Sequence, residues 1–288
     1  MDWSGRTAWV TGASSGIGEA LARALSARGA AVVLSGRRTE ALDRIAASLP
    51  TPTLVLAFDT IDFAGLPDVV ARAWEWRGSI DLLVNNAGVS QRSLALDTDM
   101  AVYRALMEVD FFAPVRLTQL VLPRMIERGH GHIAAVSSVA GKVGTPLRAA
   151  YCAAKHALVG YCDALRAEIE LAYGIKVSTI LPGSVRTGIA VNALLGDGSV
   201  RGISDDNIDN GMAPEIVAEQ IMAGLEAGTR EILIAEGAER AAALLRAAEP
   251  ETLFDVVARE GARLAKLRAE HGAGFRPDPQ RIREARKG

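Results

Sequence analysis

Seven short apolar runs, rich in valine and leucine, punctuate the chain: TAWVTG (7–12), AAVVLSG (30–36), TLVLAFD (53–59), IDLLVNNAG (80–88), GHIAAVSS (131–138), GIKVSTILPG (174–183) and REILIAEG (230–237). Runs without a polar alternation fit strands covered on both faces, as in a parallel sheet. The intervening stretches change period. EALARALSARG (19–29) and EALDRIAASL (40–49) repeat apolar residues at three- and four-residue spacing with polar residues between them, the pattern of surface helices. The alternation predicts an α/β chain with a seven-stranded parallel sheet and helices on both faces.

Two regions break this rhythm. Residues 188–213 lie between a strand and a helix expected to start near Pro214. Connections of that length in a compact fold are usually lids, binding loops or disordered segments, and the residues Ile189, Val191, Leu194, Leu195, Ile203 and Met212 suit an apolar substrate. The second region begins at 238, with helix-like RAAALLRAAE, ETLFDVVAREGARLAKLRAEHG after Pro250, and a tail with nine Lys/Arg against four Asp/Glu from Arg259 to Lys287. Leu253, Val257, Leu264 and Leu267 form a stripe broken by Glu260, expected to pack on the body. A partner subunit or peripheral contact of the tail with a membrane surface are the alternatives. The expected division is 1–237 for the main domain, holding the 188–213 loop, and 238–288 for a helical extension and basic tail.

Composition narrows the function classes. Across 288 residues the hydrophobic share is 49%, the charged share 23% and the formal net charge −2, values of a globular chain without a global attraction to nucleic acid or anionic membranes. No run of eighteen apolar residues suggests a spanning helix, and the opening MDWSGRTAWVTGASS enters a strand without the layout of a leader peptide. A cytoplasmic location is the expectation. Cys152 and Cys162, ten residues apart on one helix, sit roughly 15 Å from each other and cannot pair. His130, His132, His156 and His271 have no metal-ligand spacing, so no metal is expected.

The first chemical signature is TGASSGIG (11–18), between a strand and a helix. Gly12, Gly16 and Gly18 allow a sharp turn and close approach of a ligand. With Ser14, Ser15 and Ile17 they present a helix N-terminus to a pyrophosphate, as in a Rossmann fold. In NAD-binding versions an acidic residue ends the second strand, but here Gly36 stands there, followed by Arg37 and Arg38. Guanidinium groups without a competing carboxylate suit a 2′-phosphate, so NADP(H) is expected in preference to NAD(H).

The second signature is AAYCAAKHAL (149–158), where Tyr151 and Lys155 share one face of an alanine-rich helix. With TGASSGIG, NNAG (85–88), Ser138 at a strand end and PGSVRT (182–187), this order and spacing resembles the short-chain dehydrogenase/reductase family over residues 5–237. The wording around Tyr151 is most similar to its hydroxysteroid and retinoid reductase branch. The resemblance implies Asp59 facing the adenine and Asn86, Ala87 and Gly88 lining the adenosine side. Pro182, Gly183, Val185 and Thr187 then hold the nicotinamide end, and Ser138, Tyr151 and Lys155 carry the chemistry. Physical chemistry agrees: a free phenol has a pKa near ~10, and a neighbouring ammonium favours its ionised form. The resemblance also implies a homodimer or homotetramer built on helices around 100–125 and 150–172.

One position departs from the pattern. The family's usual asparagine after NNAG is matched by Asp110, in MEVDFFAPVRLTQ. An ionised carboxylate there competes for Lys155 and raises the Tyr151 pKa. Pro114, four residues on, has no N–H and so leaves the Asp110 carbonyl without its helical donor. The resemblance implies that this carbonyl holds a water linking the lysine to solvent. The expectation is a relay through the Asp110 backbone with its side chain tolerated; plain kinking by Pro114 is the alternative. The implied activity is reversible reduction of a ketone or aldehyde. The competing readings are a catalytically silent NADP(H)-binding regulator and a 3-oxoacyl reductase.

Overall fold

The computed structural model describes residues 2–272 and 275. Seven parallel strands form one sheet in the order β3-β2-β1-β4-β5-β6-β7. These are β1 Thr7–Thr11, β2 Ala31–Gly36, β3 Thr53–Ala57, β4 Leu82–Asn85, β5 Gly131–Val136, β6 Ile175–Pro182 and β7 Glu231–Ile234. Each lies inside one of the seven apolar runs. β1 and β4 are buried along their whole length, which explains why they carry no polar alternation.

Alternate residues of the strands serve two cores. On one face Val10, Leu34, Val84 and Ile180 pack against helices α1 (Gly16–Ala27), α2 (Thr39–Ala46) and α8 (Pro214–Glu226). On the other, Trp9, Val33, Leu83 and Ile133 meet α3 (Leu66–Arg77), α5 (Ala113–Arg128) and α6 (Ala149–Tyr173). The indole N–H of the fully buried Trp9 donates to Ser35 Oγ at 2.8 Å, so a large side chain is buried without a stranded donor. Cys152 and Cys162 are both buried, free thiols on α6.

Helix α4 (Met100–Met107) does not run directly into α5. Glu108–Phe112 forms a single π-helical turn, and the N–H of Ala113 donates to the carbonyl of Glu108. Pro114 follows two residues on, in a backbone that stays right-handed helical from α4 through α5, so its missing N–H leaves a carbonyl of the preceding turn without its helical donor. The interruption signalled by Pro114 is thus a change of helical winding over Glu108–Phe112.

Past β7 the chain forms α9 (Gly237–Ala248) and α10 (Pro250–His271). Leu253 and Val257 pack with Val139, Val143 and Ala242. Farther along, Leu264 and Leu267 join Phe275 against Leu94 and Leu147, while Arg268 clasps Asp97 through hydrogen bonds of 2.6 to 2.9 Å. The apolar stripe read in the sequence thus covers the body of the same chain. The basic tail past Phe275 lies outside the described residues.

Candidate active site

Strand order reverses between β1 and β4, and loops leaving the carboxyl ends of neighbouring strands there enclose a crevice. A half-buried clasp fixes the spot: the N–H of Asn86 donates to Thr11 Oγ1 at 2.9 Å and its side-chain amide to the Thr11 carbonyl at 2.8 Å. The cleft has a volume of about 780 Å³. Every predicted site residue except Asp110 and Gly18 lies on its wall.

At one end the turn after β1 feeds α1. Gly12 has a φ of 64°, and a Cβ there would stand 2.8 Å from the Ala87 Cα, so glycine permits both the turn and the approach of the β4 loop. Ser15 precedes α1 but does not cap it with its side chain. Instead Arg38 Nη2 donates to Ser15 Oγ at 2.8 Å and Ser14 Oγ at 3.0 Å, which lays a guanidinium across the helix N-terminus. Arg37 lines the cleft beside it, as do Gly36 and Asp59. Gly18 stands behind the turn, buried in α1. A concave backbone, free helix N–H groups and two cations fit a phosphorylated dinucleotide.

Toward the middle lie Ser138, Tyr151 and Lys155. Ser138 follows β5; its Oγ accepts from the N–H of Ala140 at 3.1 Å and donates to the Pro182 carbonyl over a long 3.3 Å. Lys155 is 4% exposed and donates to the Val136 carbonyl at 3.1 Å. Its Nζ stands 5.6 Å from the centre of the Tyr151 ring. Phenol and ammonium therefore face the same cleft from successive turns of α6.

Asp110 sits beneath them on the π turn, wholly buried. One carboxylate oxygen accepts from the N–H of Val89 at 2.9 Å and lies 3.8 Å from Lys155 Nζ. The other oxygen has no hydrogen-bond partner among the described residues. Burial pushes the carboxyl up to about 6, against the opposing pull of Lys155 and the Val89 N–H. Gly88 makes room for the pair, since a Cβ there would stand 2.9 Å from Asp110 Oδ1 and 3.4 Å from Lys155 Nζ. The side chain is in contact with the lysine, the placement in which an ionised carboxylate competes for it.

Residues 188–213 close the other side, and contain a short helix, α7 (Asp206–Asp209). Ile189, Leu194, Val200 and Ile208 line the cleft. Of the other residues singled out in this loop, Leu195 is buried, Ile203 is exposed, and Met212 packs on the core. Backbone hydrogen bonds from Arg92 to Leu194 and from Leu194 to Ser90, both 2.8 Å, tie this loop to the segment after β4.

Several residues in the wall or just behind it carry no sequence signature. Buried Gln91 accepts from the N–H of Ala150, capping α6 from outside. Glu239, on the first turn of α9, accepts from the Ser184 N–H and hydroxyl at 2.6 and 2.7 Å, and Ala238 and Ala242 line the cleft with it. Arg92, 3% exposed, donates to Asp205 at 2.6 Å, as does Arg201. Burial lowers the Arg92 guanidinium to about 10, with Arg148 adding to this and Asp205 opposing, and it stays charged at neutral pH. Burial alone would raise Asp205, but Arg92 and Arg201 outweigh it and hold the carboxyl below its ordinary value. The only cue in the sequence is that these charges interrupt loops rather than helix faces. Among the described residues no group of three His, Cys, Asp or Glu is placed to hold a metal, and no helix is long and apolar enough to cross a membrane.

Comparison with known proteins gives the same picture. Residues 6–196 match the family model described as short chain dehydrogenase. The chain is similar to dehydrogenase/reductase SDR family member 7B of Danio rerio, 38% identical over 86% of this chain and 83% of that protein. It is 37% identical to an SDR family protein 7-like of Drosophila melanogaster, over 90% and 82% of the two chains. Among solved structures, a Burkholderia cenocepacia short chain dehydrogenase in complex with NADP superposes with a TM-score of 0.75 at 27% identity, covering 89% of this chain and 99% of that one. A Burkholderia phymatum short chain dehydrogenase/reductase in complex with NAD gives 0.78 at 23% identity, covering 88% and 96%, a likeness of fold.

Proposed function

The chain belongs to the short-chain dehydrogenase family, and on that premise we propose that it interconverts a ketone or aldehyde and an alcohol, using NADP(H) in preference to NAD(H). The observation that carries this reading is that Ser138, Tyr151 and Lys155 share one cleft with the glycine turn and the arginines beside it. The turn after β1 and the first N–H groups of α1 hold the pyrophosphate. Arg37 and Arg38, beside a Gly36 that offers no carboxylate, hold the 2′-phosphate. Asp59 faces the adenine, and Asn86, Ala87 and Gly88 line the adenosine side. Pro182, Gly183, Val185 and Thr187 hold the nicotinamide end.

The nicotinamide, when bound, supplies or takes up the hydride. In reduction the Tyr151 hydroxyl donates its proton to the substrate oxygen, and Lys155 stabilises the phenolate left behind. The long bond from Ser138 to Pro182 is readily exchanged for one to the developing alkoxide, which gives that oxygen a second donor. The Tyr151 phenolate then regains its proton from solvent by way of Lys155, with the Asp110 main-chain carbonyl as the relay point, which restores the phenol beside the ammonium. The apolar wall of Val143, Ile189, Leu194 and Val200 admits the carbon skeleton of the substrate. We place the protein in the cytoplasm, where its two free thiols stay reduced, as a dimer or tetramer built through α4, α5 and α6.

The test is consumption of NADPH with a panel of ketones and aldehydes by wild type and Tyr151→Phe. Loss of the proton donor is expected to slow turnover about 100- to 10,000-fold with NADPH still bound. The Asp110–Lys155 contact favours one competing reading, a regulator that binds NADPH without catalysis. A wild type that binds the cofactor and reduces nothing on a broad panel would establish that alternative.

A further inference from the structure

Arginine is an unexpected lining for a cleft built to receive an apolar ketone, yet Arg92 and Arg148 both reach its wall. They come from separate segments, the loop after β4 and the residue preceding α6. Arg92 is committed: besides Asp205 it donates to Ser90 Oγ at 2.8 Å and the Gln91 carbonyl at 2.7 Å. Arg148 is not. Its guanidinium approaches Asp205 only to 3.7 Å and makes no hydrogen bond among the described residues. One carboxylate, already bonded to Arg92 and Arg201, is left to balance it.

The backbone is strained to place this cation. Leu147 is the single non-glycine residue with positive φ, 67°, among those described, a conformation costly for a bulky side chain. The strain is held from two sides. The Ser93 N–H donates to the Leu147 carbonyl at 3.0 Å. The Leu147 side chain lies under Leu264, Leu267 and Phe275 at the end of α10. Arg148 then opens α6 three residues ahead of Tyr151, about one turn from the phenol. It is remote in sequence from Arg37 and Arg38, which serve the adenosine end of the cleft.

We propose that Arg148, backed by Arg92, binds an anionic group on the substrate, so that the natural substrate is a carbonyl compound or alcohol with an apolar body and a carboxylate or phosphate head. An oxyanion there would complete the hydrogen bonds of a guanidinium that the protein has left unfilled, and charge-assisted bonds of this kind are the strong ones. The inference deepens the reductase reading and rests on it for the word substrate, but not for the binding site itself.

Binding is therefore measured separately from turnover. The full chain, saturated with NADP+ so that the phosphate-binding turn is filled, is titrated calorimetrically with decanoate, decyl phosphate and decanol. At least one of the two anions is expected to bind about tenfold or more tightly than decanol, and the tighter anion names the head group. Arg148→Gln is expected to erase that advantage. Equal affinity for all three, no binding of any, or an advantage that survives in Arg148→Gln overturns the proposal. The wild-type comparison decides on its own should the variant fail to fold, and Arg148→Lys, keeping charge without the planar fork, is expected to retain part of the advantage. In turnover, the ratio of kcat/KM for a keto acid over its methyl ester is expected to fall about 10- to 100-fold in Arg148→Gln. A protein that prefers the anion yet reduces no ketone would sink the reductase reading alone.

Discussion

Replacing Asp110 by asparagine removes a buried charge while keeping nearly the same shape, and stability against pH reports the effect directly. In the folded protein the carboxyl titrates at about 6 rather than 3.8 because burial disfavours its ionised form. Between those two values the folded chain holds a proton that the unfolded chain has released. Stability conferred by that proton is complete below about pH 4, declines as pH rises through the window, and is gone above about pH 6. Each pH unit of the gap corresponds to about 1.4 kcal/mol, so the full amplitude is about 3 kcal/mol. The assay is urea unfolding of the cofactor-free protein and of Asp110→Asn across this range, taking the difference between them at each pH so that other titrating groups cancel. Wild type should lose stability relative to the variant by up to about 3 kcal/mol from the acid to the neutral side. A difference that stays flat would refute the reasoning, since the carboxyl would then release its proton as an exposed one does. A kinetic companion has the same logic. With the proton on, acid and amide resemble each other, so alcohol oxidation by the two proteins should match near pH 5. As the carboxylate forms 3.8 Å from Lys155, it weakens the support the ammonium gives the Tyr151 phenolate. The variant should then pull ahead, by up to about tenfold near pH 8. A ratio independent of pH would return the relay to the backbone carbonyl alone.

Two further outcomes follow from the cleft and its brace. Arg38→Ala should weaken NADPH binding about tenfold or more and NADH binding by less, measured by cofactor fluorescence; equal losses would place Arg38 on the shared pyrophosphate rather than the 2′-phosphate. Leu264→Ala, which empties a site 2% exposed between α10 and the Leu94–Leu147 surface, should destabilise the protein by about 2–5 kcal/mol, and an unchanged melting temperature would mean that α10 is not docked in solution.

The sheet was legible because burial on both faces leaves a plain mark. Runs such as AWV and LLV have no polar residue to hide, and α8 begins at Pro214 because proline is tolerated in a first helical turn. The glycine turn, Ser138, Tyr151 and Lys155 were legible because each occupies a fixed place after a strand or on one helix face. Arg92, Arg148 and Glu239 were not, since their roles depend on loops meeting across the cleft, and loop contacts leave no period. The π turn was half visible: Pro114 signalled an interruption, but a change of winding over Glu108–Phe112 has no periodic signature in the sequence. The inward-facing stripe of α10 was readable, whereas the surface it would meet was not.

That surface sets an order of completion during synthesis. The nucleotide turn is translated directly after β1, and β2 and β4 follow it to complete its surroundings. The wall that restrains Leu147 and Asp97 is translated after all seven strands, with Leu264, Leu267 and Arg268. A nascent chain still tethered near its end would have a nucleotide cradle but an unfinished substrate chamber. Premature stop codons in α10 would accordingly yield proteins that hold their dinucleotide and discriminate poorly among reactants.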